Sequence, residues 1–555
     1  MAVHFSRSHL PKGRRNIMQF KDLVRRKGPS IILTILIITA LSGYASAHFY
    51  GPHGSQIMDP VWTEGGWVSG TTIDSIYVRG SNALDPSDPY YRTYEAMLGE
   101  VGHKIRIYRG VPYAAPPEGP LRWKPPQPVI PWKGIRECTK FSPMAPQSYP
   151  ASPVYDSIPL EGMSEDVLYL NIQTPARHPH ERLPVMVLFH GGGLTMGSVN
   201  RVSDNCPPLP QHGVVSVTVQ HRIGVFGYMA HPALTMESGY GGSGNYGQMD
   251  LIAALKWVKR NIANFGGDPN NITIWGHSGG GAKVNFLLAS PKAKGLFHRA
   301  ICEAGFSTTA TPLATQEGRG RNLAAEAGVA KPDPVAELAA LRALPMKDVL
   351  DASLRAAAKN TPSNIFYSST FTIDNYYMPD SIGNIFAAGL HSDVPYMVGL
   401  GGAEITTATP AMGALLKTMA GKQTSPIYTY VFTHVPQNWA NAGVYAYHGL
   451  EVSYQYGVID TVARIYGTAL LPRSDTVPPD PGVNDEDYWL QDVVMTMWTN
   501  FAAIGNPTPQ KGPYKSRLIS WTWPRYGESD QYLDIGFPPL IRTGFSTLTT
   551  KLPPR

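Results

Sequence analysis

Cysteine is scarce in this sequence, and its scarcity excludes two kinds of protein. The 555 residues include three cysteines, Cys138, Cys206 and Cys302, so at most one disulfide can form within the chain. A small scaffold held together by disulfides is excluded, and the spacing of the three thiols matches no zinc site. We expect neither a disulfide framework nor a bound metal.

Charge is also sparse, and it is concentrated at one end of the chain. Charged residues make up 16% of the sequence, and the net charge is +6. Residues 1–30 hold eight Lys or Arg and one Asp, so this leader carries +7 and residues 48–555 sum to −1. A nearly neutral body does not favour nucleic acid as a partner. Because 43% of the residues are hydrophobic, the chain can bury a large core.

An uncharged apolar run follows the basic leader directly. Residues 31–47 read IILTILIITALSGYASA and end in small side chains. A membrane-spanning helix needs about 20 apolar residues, and this apolar core is roughly half that length. The pattern predicts a signal peptide over 1–47, cleavage after Ala47 and a secreted or periplasmic protein. An uncleaved membrane anchor is the alternative, and only that outcome would place the protein on a membrane.

Residues 271–290, NITIWGHSGGGAKVNFLLAS, predict a short buried strand, a glycine-flanked serine and a helix. On so sharp a turn, side chains at Gly276 and Gly280 would collide with the neighbouring strand and helix. The turn lifts the Ser278 hydroxyl out of the sheet and places it at a helix N-terminus, which favours developing negative charge. Ser278 is the candidate nucleophile, although a glycine-rich turn between two core elements would have the same sequence.

Buried apolar strands alternate with amphipathic helical stretches along the rest of the chain. The strands VMVLF, VVSVTV and ITIW are separated by segments such as LIAALKWVKRNIANF. This alternation predicts a parallel sheet covered by helices. No repeat, linker or run of charge marks a boundary, so we expect residues 48–555 to form a single domain.

Several stretches resemble the type-B carboxylesterase and cholinesterase family. GVPYAAPPEGPLRW (110–123) and SEDVLYLN (164–171) match its entry motifs, and LPVMVLFHGGG (183–193) matches its oxyanion strand and loop. The resemblance continues in register from about residue 68 to 535. It implies an α/β-hydrolase fold, with a large, mainly parallel central sheet and helices on both faces. Val167 and Ala145 stand where the family often has a pair of disulfide-bonded cysteines, and the loss of both cysteines resembles bacterial members of the family.

The same resemblance assigns the other two members of a catalytic triad. VPYMVGLGGAEITT is similar to the segment that carries the family's acid and places it at Glu404. YAYHGLEVSYQYG is similar to the segment that carries the base and places it at His448. With Ser278, these residues follow the chain order Ser, acid, His of this fold. Alone, each would more commonly be a surface-loop residue, and the order and context favour the triad.

By resemblance, the backbone N–H groups of Gly192, Gly193 and Gly279 form the oxyanion hole. The expected function is an exported serine carboxylesterase that hydrolyses small-molecule esters through an acyl-enzyme intermediate and needs no cofactor. An amide or carbamate hydrolase with the same triad is one alternative. A non-catalytic binding or adhesion relative is another.

The resemblance also implies two buried salt bridges that hold loops to the sheet. Glu165 is expected to pair with Arg122, and Asp250 with Arg222. Loss of one partner would leave a costly buried charge, so these pairs are structural rather than catalytic.

Three positions depart from the family pattern. His277 precedes the nucleophile where many relatives have Glu, and Ala304 replaces a serine after the next strand. A buried polar network behind the catalytic histidine is therefore expected to be rewired. Ser157 lies near the place where relatives that bind quaternary ammonium have Trp, which disfavours a cholinesterase role.

The interval between the acid and the base is short. Glu404 and His448 are 44 positions apart, and the interval contains one helical stretch and one strand. In eukaryotic relatives the interval is typically longer and carries helices that wall the active site. We therefore expect a shallow, open pocket that admits bulky acyl groups. The alternative is that an insertion near residues 80–103 covers the opening.

Overall fold

The apolar runs predicted as strands form strands in the computed structural model. VMVLF lies in Leu183–Phe189, VVSVTV in Val215–Val219 and ITIW in Gly267–His277. The structure describes residues 59–74, 104–148, 162–200, 208–359, 370–457, 459, 480–509 and 521–555. The predicted signal peptide, the insertion near residues 80–103, Ser157 and Cys206 lie outside these ranges. Residues Asp59–Arg555 group together as one unit by their contacts.

Sixteen strands occur in the part of the chain that the structure describes. They are β1 Val61–Thr63, β2 Gly66–Ser69, β3 Thr71–Asp74, β4 Lys104–Pro112, β5 Ile135–Glu137, β6 Tyr169–Thr174, β7 Leu183–Phe189, β8 Val215–Val219, β9 Gly267–His277, β10 Arg299–Glu303, β11 Thr311–Pro312, β12 Thr372–Ile373, β13 Tyr396–Gly401, β14 Ile427–Phe432, β15 Gln531–Ile535 and β16 Leu540–Thr543.

Helices connect and cover these strands. The α-helices are Pro208–Gln211, Gly224–Tyr228, Pro232–Glu237, Tyr246–Asn261, Gly279–Ala289, Leu313–Glu326, Pro334–Ala343, Met346–Lys359, Ile382–Ala388, Thr409–Ala420, Gln437–Asn441, Leu450–Gln455 and Asp485–Ile504. Short 3₁₀ helices occupy Gly119–Leu121, Pro179–Glu181, Ile262–Phe265, Gly402–Glu404 and Phe545–Thr547. Over the described ranges, no helix is both long and apolar enough to cross a membrane.

Eleven strands form one large sheet, in the order β16-β15-β14-β13-β10-β9-β7-β8-β6-β4-β3. The seven central strands, from β15 to β8, run parallel to one another. The pairs at both edges are antiparallel. The predicted fold, an α/β-hydrolase with a mainly parallel central sheet, is confirmed. Since loops at the carboxyl ends of parallel strands meet at one edge, this arrangement can gather side chains from distant parts of the sequence.

Helices cover both faces of the sheet because the central strands are apolar on both faces. Side chains alternate between the two faces along a strand, so Met186 and Leu188 of β7 lie on the same face. They pack in a core cluster with Trp498 and Phe501 of helix Asp485–Ile504. Helices Tyr246–Asn261 and Gly279–Ala289 contact β9 from outside this cluster. Full burial of each large apolar side chain stabilises the fold by about 1.5–3 kcal/mol.

Both predicted salt bridges are present and buried. The Arg222 guanidinium donates to the two carboxylate oxygens of Asp250, with Nε–Oδ2 and Nη2–Oδ1 distances of 2.8 and 2.6 Å. Arg122 donates through Nε and Nη2 to the two oxygens of Glu165. Bidentate geometry of this kind compensates the cost of burying the charges.

Candidate active site

The chain turns sharply at Ser278, as the sequence predicts. Strand β9 ends at His277 and the helix Gly279–Ala289 begins one residue after the serine. Ser278 has φ 58° and ψ −122°, a strained conformation for a residue with a side chain. Its backbone N–H donates to the carbonyl oxygen of Glu303 on the adjacent strand at 2.7 Å, which holds the turn against the sheet.

Glycines around Ser278 are required by close backbone packing. A Cβ atom on Gly276 would lie 2.6 Å from the carbonyl oxygen of Phe189, and one on Gly280 would lie 2.0 Å from the same atom. Both distances are far below a normal contact. The turn therefore presses directly against the end of β7, and side chains at these positions would push the serine out of place.

The loop after β7 brings two further glycines to the turn. Gly192 and Gly193 have φ values of +92° and +63°, which favour glycine. A Cβ on Gly279 would lie 2.5 Å from the backbone nitrogen of Gly193, so these two predicted oxyanion-hole residues are adjacent. Among the described hydrogen bonds, the N–H groups of Gly192 and Gly193 donate to no protein acceptor. They remain available for an anionic oxygen.

Glu404 and His448 are brought together as an acid–base pair. Glu404 ends a 3₁₀ turn directly after β13, and its Oε1 lies 2.5 Å from Nδ1 of His448. The backbone N–H of Gly401 donates to the other carboxylate oxygen at 2.7 Å, which fixes the orientation of the acid. A proton on Nδ1 directed at Glu404 leaves Nε2 of His448 free to accept a proton. The His448 side chain is 46% exposed, so substrate can reach it.

The pKa of His448 lies above its ordinary value of 6.5. Burial alone would lower the pKa, because it disfavours the charged imidazolium. The hydrogen bond and negative charge of Glu404 outweigh burial, and the charge of Glu451 adds to their effect. The imidazolium that forms during proton transfer is therefore stabilised in this site.

Two of the three departures from the family pattern, His277 and Ala304, lie near the candidate acid–base pair. The ring of His277 is 4.4 Å from the ring of His448, centroid to centroid. Its Nε2 lies 3.4 Å from Oε1 of the buried Glu451. Ala304, Glu404 and Leu400 line a cavity of about 480 Å³ behind the acid.

Glu303 was not identified from the sequence as part of this site. It lies at the end of β10, is fully buried, and accepts a hydrogen bond from Nε1 of Trp498 at 2.5 Å. Burial and, to a smaller extent, the negative charge of Glu451 together raise the pKa of its carboxyl group to about 8, although the hydrogen bond from Trp498 lowers that pKa. A carboxylate within the apolar stretch RAICEAGF was the signal that could have identified it.

A second cavity adjoins the glycine loop. It has a volume of about 230 Å³, and its lining includes Gly193, Gly279 and the apolar side chains of Leu194, Met196 and Phe371. Among the described residues, no group of three or more His, Cys, Asp or Glu side chains is arranged to hold a metal ion.

The fold and this arrangement define a serine hydrolase of the α/β-hydrolase class, and comparisons with known proteins specify the family. The Carboxylesterase family model matches residues 95–414 and 403–551. Carboxylesterase 1D of Mus musculus is 30% identical over 509 residues, covering 78% of this chain and 85% of that protein. Liver carboxylesterase of Sus scrofa is 31% identical over 517 residues, covering 80% of this chain and 87% of that protein.

Comparison with solved structures indicates the same family. A PNB esterase superposes with a TM-score of 0.67 at 25% sequence identity, covering 87% of this chain and 96% of the other. The chain belongs to the carboxylesterase family, and the predicted resemblance is confirmed. It is a carboxylic ester hydrolase of the serine class, which excludes the non-catalytic binding relative.

The packing around Ser278 predicts that Gly280→Ala destabilises the protein and reduces turnover. The new methyl group would lie 2.0 Å from the Phe189 carbonyl oxygen, so the helix must move away from β7. We expect a loss of at least about 1–3 kcal/mol in the free energy of unfolding, measured by urea denaturation.

Gly318 provides the matched control for this substitution. It occupies an exposed position of the helix Leu313–Glu326, and a Cβ there would meet no atom within 4 Å. Gly318→Ala should stabilise the protein by about 0.5–1 kcal/mol. If Gly280→Ala were as stable as Gly318→Ala, the close packing of the turn would be wrong.

The raised pKa of His448 predicts the pH dependence of catalysis. His448 must be neutral to accept a proton, so kcat/KM should fall with decreasing pH through a midpoint above 6.5. Glu404→Gln should move this midpoint to lower pH and reduce kcat by orders of magnitude, because a neutral amide does not stabilise the imidazolium. The measurement is kcat/KM against pH for both proteins. A midpoint below 6.5, or a mild effect of the amide, would contradict the assignment.

Proposed function

We propose that this protein is an exported esterase that acts through an acyl-enzyme intermediate on Ser278. His448 is the base, Glu404 orients and stabilises it, and the N–H groups of Gly192, Gly193 and Gly279 stabilise the oxyanion. The observation that carries the proposal is the 2.5 Å contact between Glu404 and His448, on a histidine packed against the residue that precedes Ser278. No metal or cofactor takes part in this chemistry.

In the first half of the reaction, Ser278 Oγ attacks the ester carbonyl carbon while Nε2 of His448 accepts the hydroxyl proton. The carbonyl oxygen becomes an oxyanion, which the proposal assigns to the backbone N–H groups of Gly192, Gly193 and Gly279. Each such donor typically contributes about 3–4 kcal/mol to transition-state stabilisation. When the tetrahedral intermediate collapses, His448 returns the proton to the leaving alcohol, and the acyl group stays on the serine.

In the second half, water replaces the alcohol. His448 accepts a proton from the water, the resulting hydroxide attacks the acyl carbonyl, and a second oxyanion forms in the same place. Collapse expels Ser278 Oγ, which recovers its proton from His448, and a carboxylic acid leaves. The exposure of the His448 side chain supports this step, because water can reach the base.

The assignment of the nucleophile predicts that Ser278→Ala removes ester hydrolysis and leaves the fold unchanged. Turnover of p-nitrophenyl butyrate should fall to the background rate, since no other group forms the acyl-enzyme. An organophosphonate should add one adduct to the wild-type protein, located on Ser278 by peptide mass spectrometry.

A serine in the same helix serves as the control. Ser290 is buried at the C-terminal end of helix Gly279–Ala289, and its hydroxyl has no hydrogen-bond partner in the described structure. Ser290→Ala should keep the wild-type rate and the adduct. An adduct on a different serine, or near wild-type turnover by Ser278→Ala, would refute the proposed nucleophile.

The open pocket inferred from the short acid–base interval remains a prediction, and two observations support it. The acid–base interval contains the expected helix, Thr409–Ala420, and strand β14, together with a second helix of five residues, Gln437–Asn441, that was not expected from the sequence. The catalytic histidine is about half exposed, at 46%. We expect kcat/KM for acetyl, butyryl and benzoyl esters of p-nitrophenol to be flat or to favour the bulky acyl groups.

Two further substrates, added to the same panel, test the alternative of an amide or carbamate hydrolase. A matched p-nitroanilide and a p-nitrophenyl carbamate use the same triad but differ in the leaving group or the acyl group. Amide or carbamate turnover at a rate similar to that of the esters would assign the wider activity. A steep preference for acetyl over benzoyl esters would instead refute the open pocket.

Export is proposed from the sequence alone. The support is the basic leader, the short apolar run and the Ala45-Ser46-Ala47 ending. After expression of the full chain in a bacterial host, N-terminal sequencing of the periplasmic or secreted enzyme should begin at His48. Recovery of an intact N-terminus in the membrane fraction would favour the uncleaved anchor.

A further inference from the structure

A histidine and a glutamate form a second acid–base pair directly beside His448. His277 directly precedes the proposed nucleophile along the chain, and the centroid of its ring lies 4.4 Å from that of His448. Its Nε2 lies 3.4 Å from Oε1 of Glu451. Glu451 follows His448 by three residues, on the helix Leu450–Gln455, and is fully buried.

The geometry of this pair differs from that of the structural salt bridges. Arg222 and Asp250 form hydrogen bonds of 2.6 and 2.8 Å, whereas His277 and Glu451 form none. Both carboxylate oxygens of Glu451 and Nε2 of His277 lack a hydrogen-bond partner among the described residues. A pair with this geometry compensates poorly for the free-energy cost of burying a charge. A contribution to stability therefore does not explain why His277 and Glu451 lie together.

The charges of the pair act on each other and on His448. Burial would raise the pKa of Glu451, but His277 and then His448 outweigh burial and bring that pKa below its ordinary value. Glu451 is therefore ionised when the enzyme works. Its negative charge in turn raises the pKa of His448, in addition to the larger effect of Glu404.

The other groups that face this pair come from neighbouring strands. Glu303, at the end of β10, interacts with the charge of Glu451 and is neutral below about pH 8, because burial raises its pKa to that value. Tyr430, on β14, is kept neutral because burial raises its pKa well above the ordinary value. Near neutral pH the negative charges that act on His448 are therefore those of Glu404 and Glu451.

We propose that His277 and Glu451 are positioning residues that set the charge state of His448, with Glu451 stabilising the imidazolium and His277 offsetting that effect. His277 faces the Glu451 carboxylate and offsets part of its charge, which keeps His448 available as a base. When His277 is removed, Glu451 acts on His448 without compensation. The inference rests on the proposed function, since it requires that His448 is the base.

The test uses single and double substitutions and the pH profile of kcat/KM. His277→Gln should move the acid-side midpoint of the profile up by about one pH unit, and Glu451→Gln should move it down by a similar amount. The double variant should return close to the wild-type midpoint, because both charges are gone. The rate of organophosphonate labelling of Ser278 should show the same shifts, because it depends on the same base.

Two further variants control for structural effects. His231 is a buried histidine whose Nε2 lies 2.9 Å from Glu337, away from the triad, so His231→Gln removes a comparable pair. The acid-side midpoint of kcat/KM for His231→Gln should equal that of the wild type. Glu303→Gln should also leave the midpoint in place, because Glu303 is already neutral in that range. Thermal unfolding by circular dichroism establishes which variants are folded.

The outcomes separate this inference from the proposed function. If both single variants keep the wild-type midpoint, or shift it in the same direction, the pair does not set the charge state of His448 and the inference is wrong. If Glu451→Gln does not fold, the direction of the shift in His277→Gln alone decides. A wild-type enzyme without an acid-side limb, or an active Ser278→Ala variant, would instead refute the proposed function.

Discussion

The close contact between the turn at Ser278 and the end of β7 is the constraint on which the rest of the site depends. Gly276 and Gly280 both lie against the carbonyl oxygen of Phe189, at distances that leave no space for a side chain. The strained backbone of Ser278, which costs about 1–3 kcal/mol, is held by its hydrogen bond to Glu303. The same contact places Gly279 against Gly193, so the packing that holds the proposed nucleophile also brings the proposed oxyanion donors together.

The acid and the base reach this turn from separate loops. Glu404 follows β13 and is fixed by the backbone of Gly401, while His448 lies after β14. Because β13 and β14 are parallel neighbours of each other, and β10 and β9 continue the same sheet, their carboxyl ends meet at one edge. Functional precision therefore comes from the rigid sheet and not from the loops themselves.

Buried charges have two different roles in this molecule. Arg122 with Glu165 and Arg222 with Asp250 are bidentate, and they hold loops to the sheet. His277 and Glu451 lie close without a hydrogen bond, against the catalytic base. The first arrangement suits stability, and the second suits the tuning of a neighbouring charge, because an incompletely compensated carboxylate still exerts its field on His448.

The sequence by itself determined the local features of this protein. The strand, the glycine-flanked serine and the helix at residues 271–290 follow from hydrophobic pattern and backbone sterics, which act over a few residues. The family motifs identified the fold, the two salt bridges and the three triad candidates. The mainly parallel centre of the sheet followed from the alternation of strands and helices in the sequence. The antiparallel edges and the strand order did not follow from it.

Only the tertiary structure decided which charged groups surround His448. Glu404 and Glu451 come from two different elements. Glu303, which interacts with Glu451, comes from a third and accepts a hydrogen bond from Trp498, 195 positions further along the chain. Periodicity shows that a residue is buried but not which residue it faces. The carboxyl groups next to the base, and hence its pKa, therefore depend on how the strands are ordered in the sheet, which is a property of the whole fold.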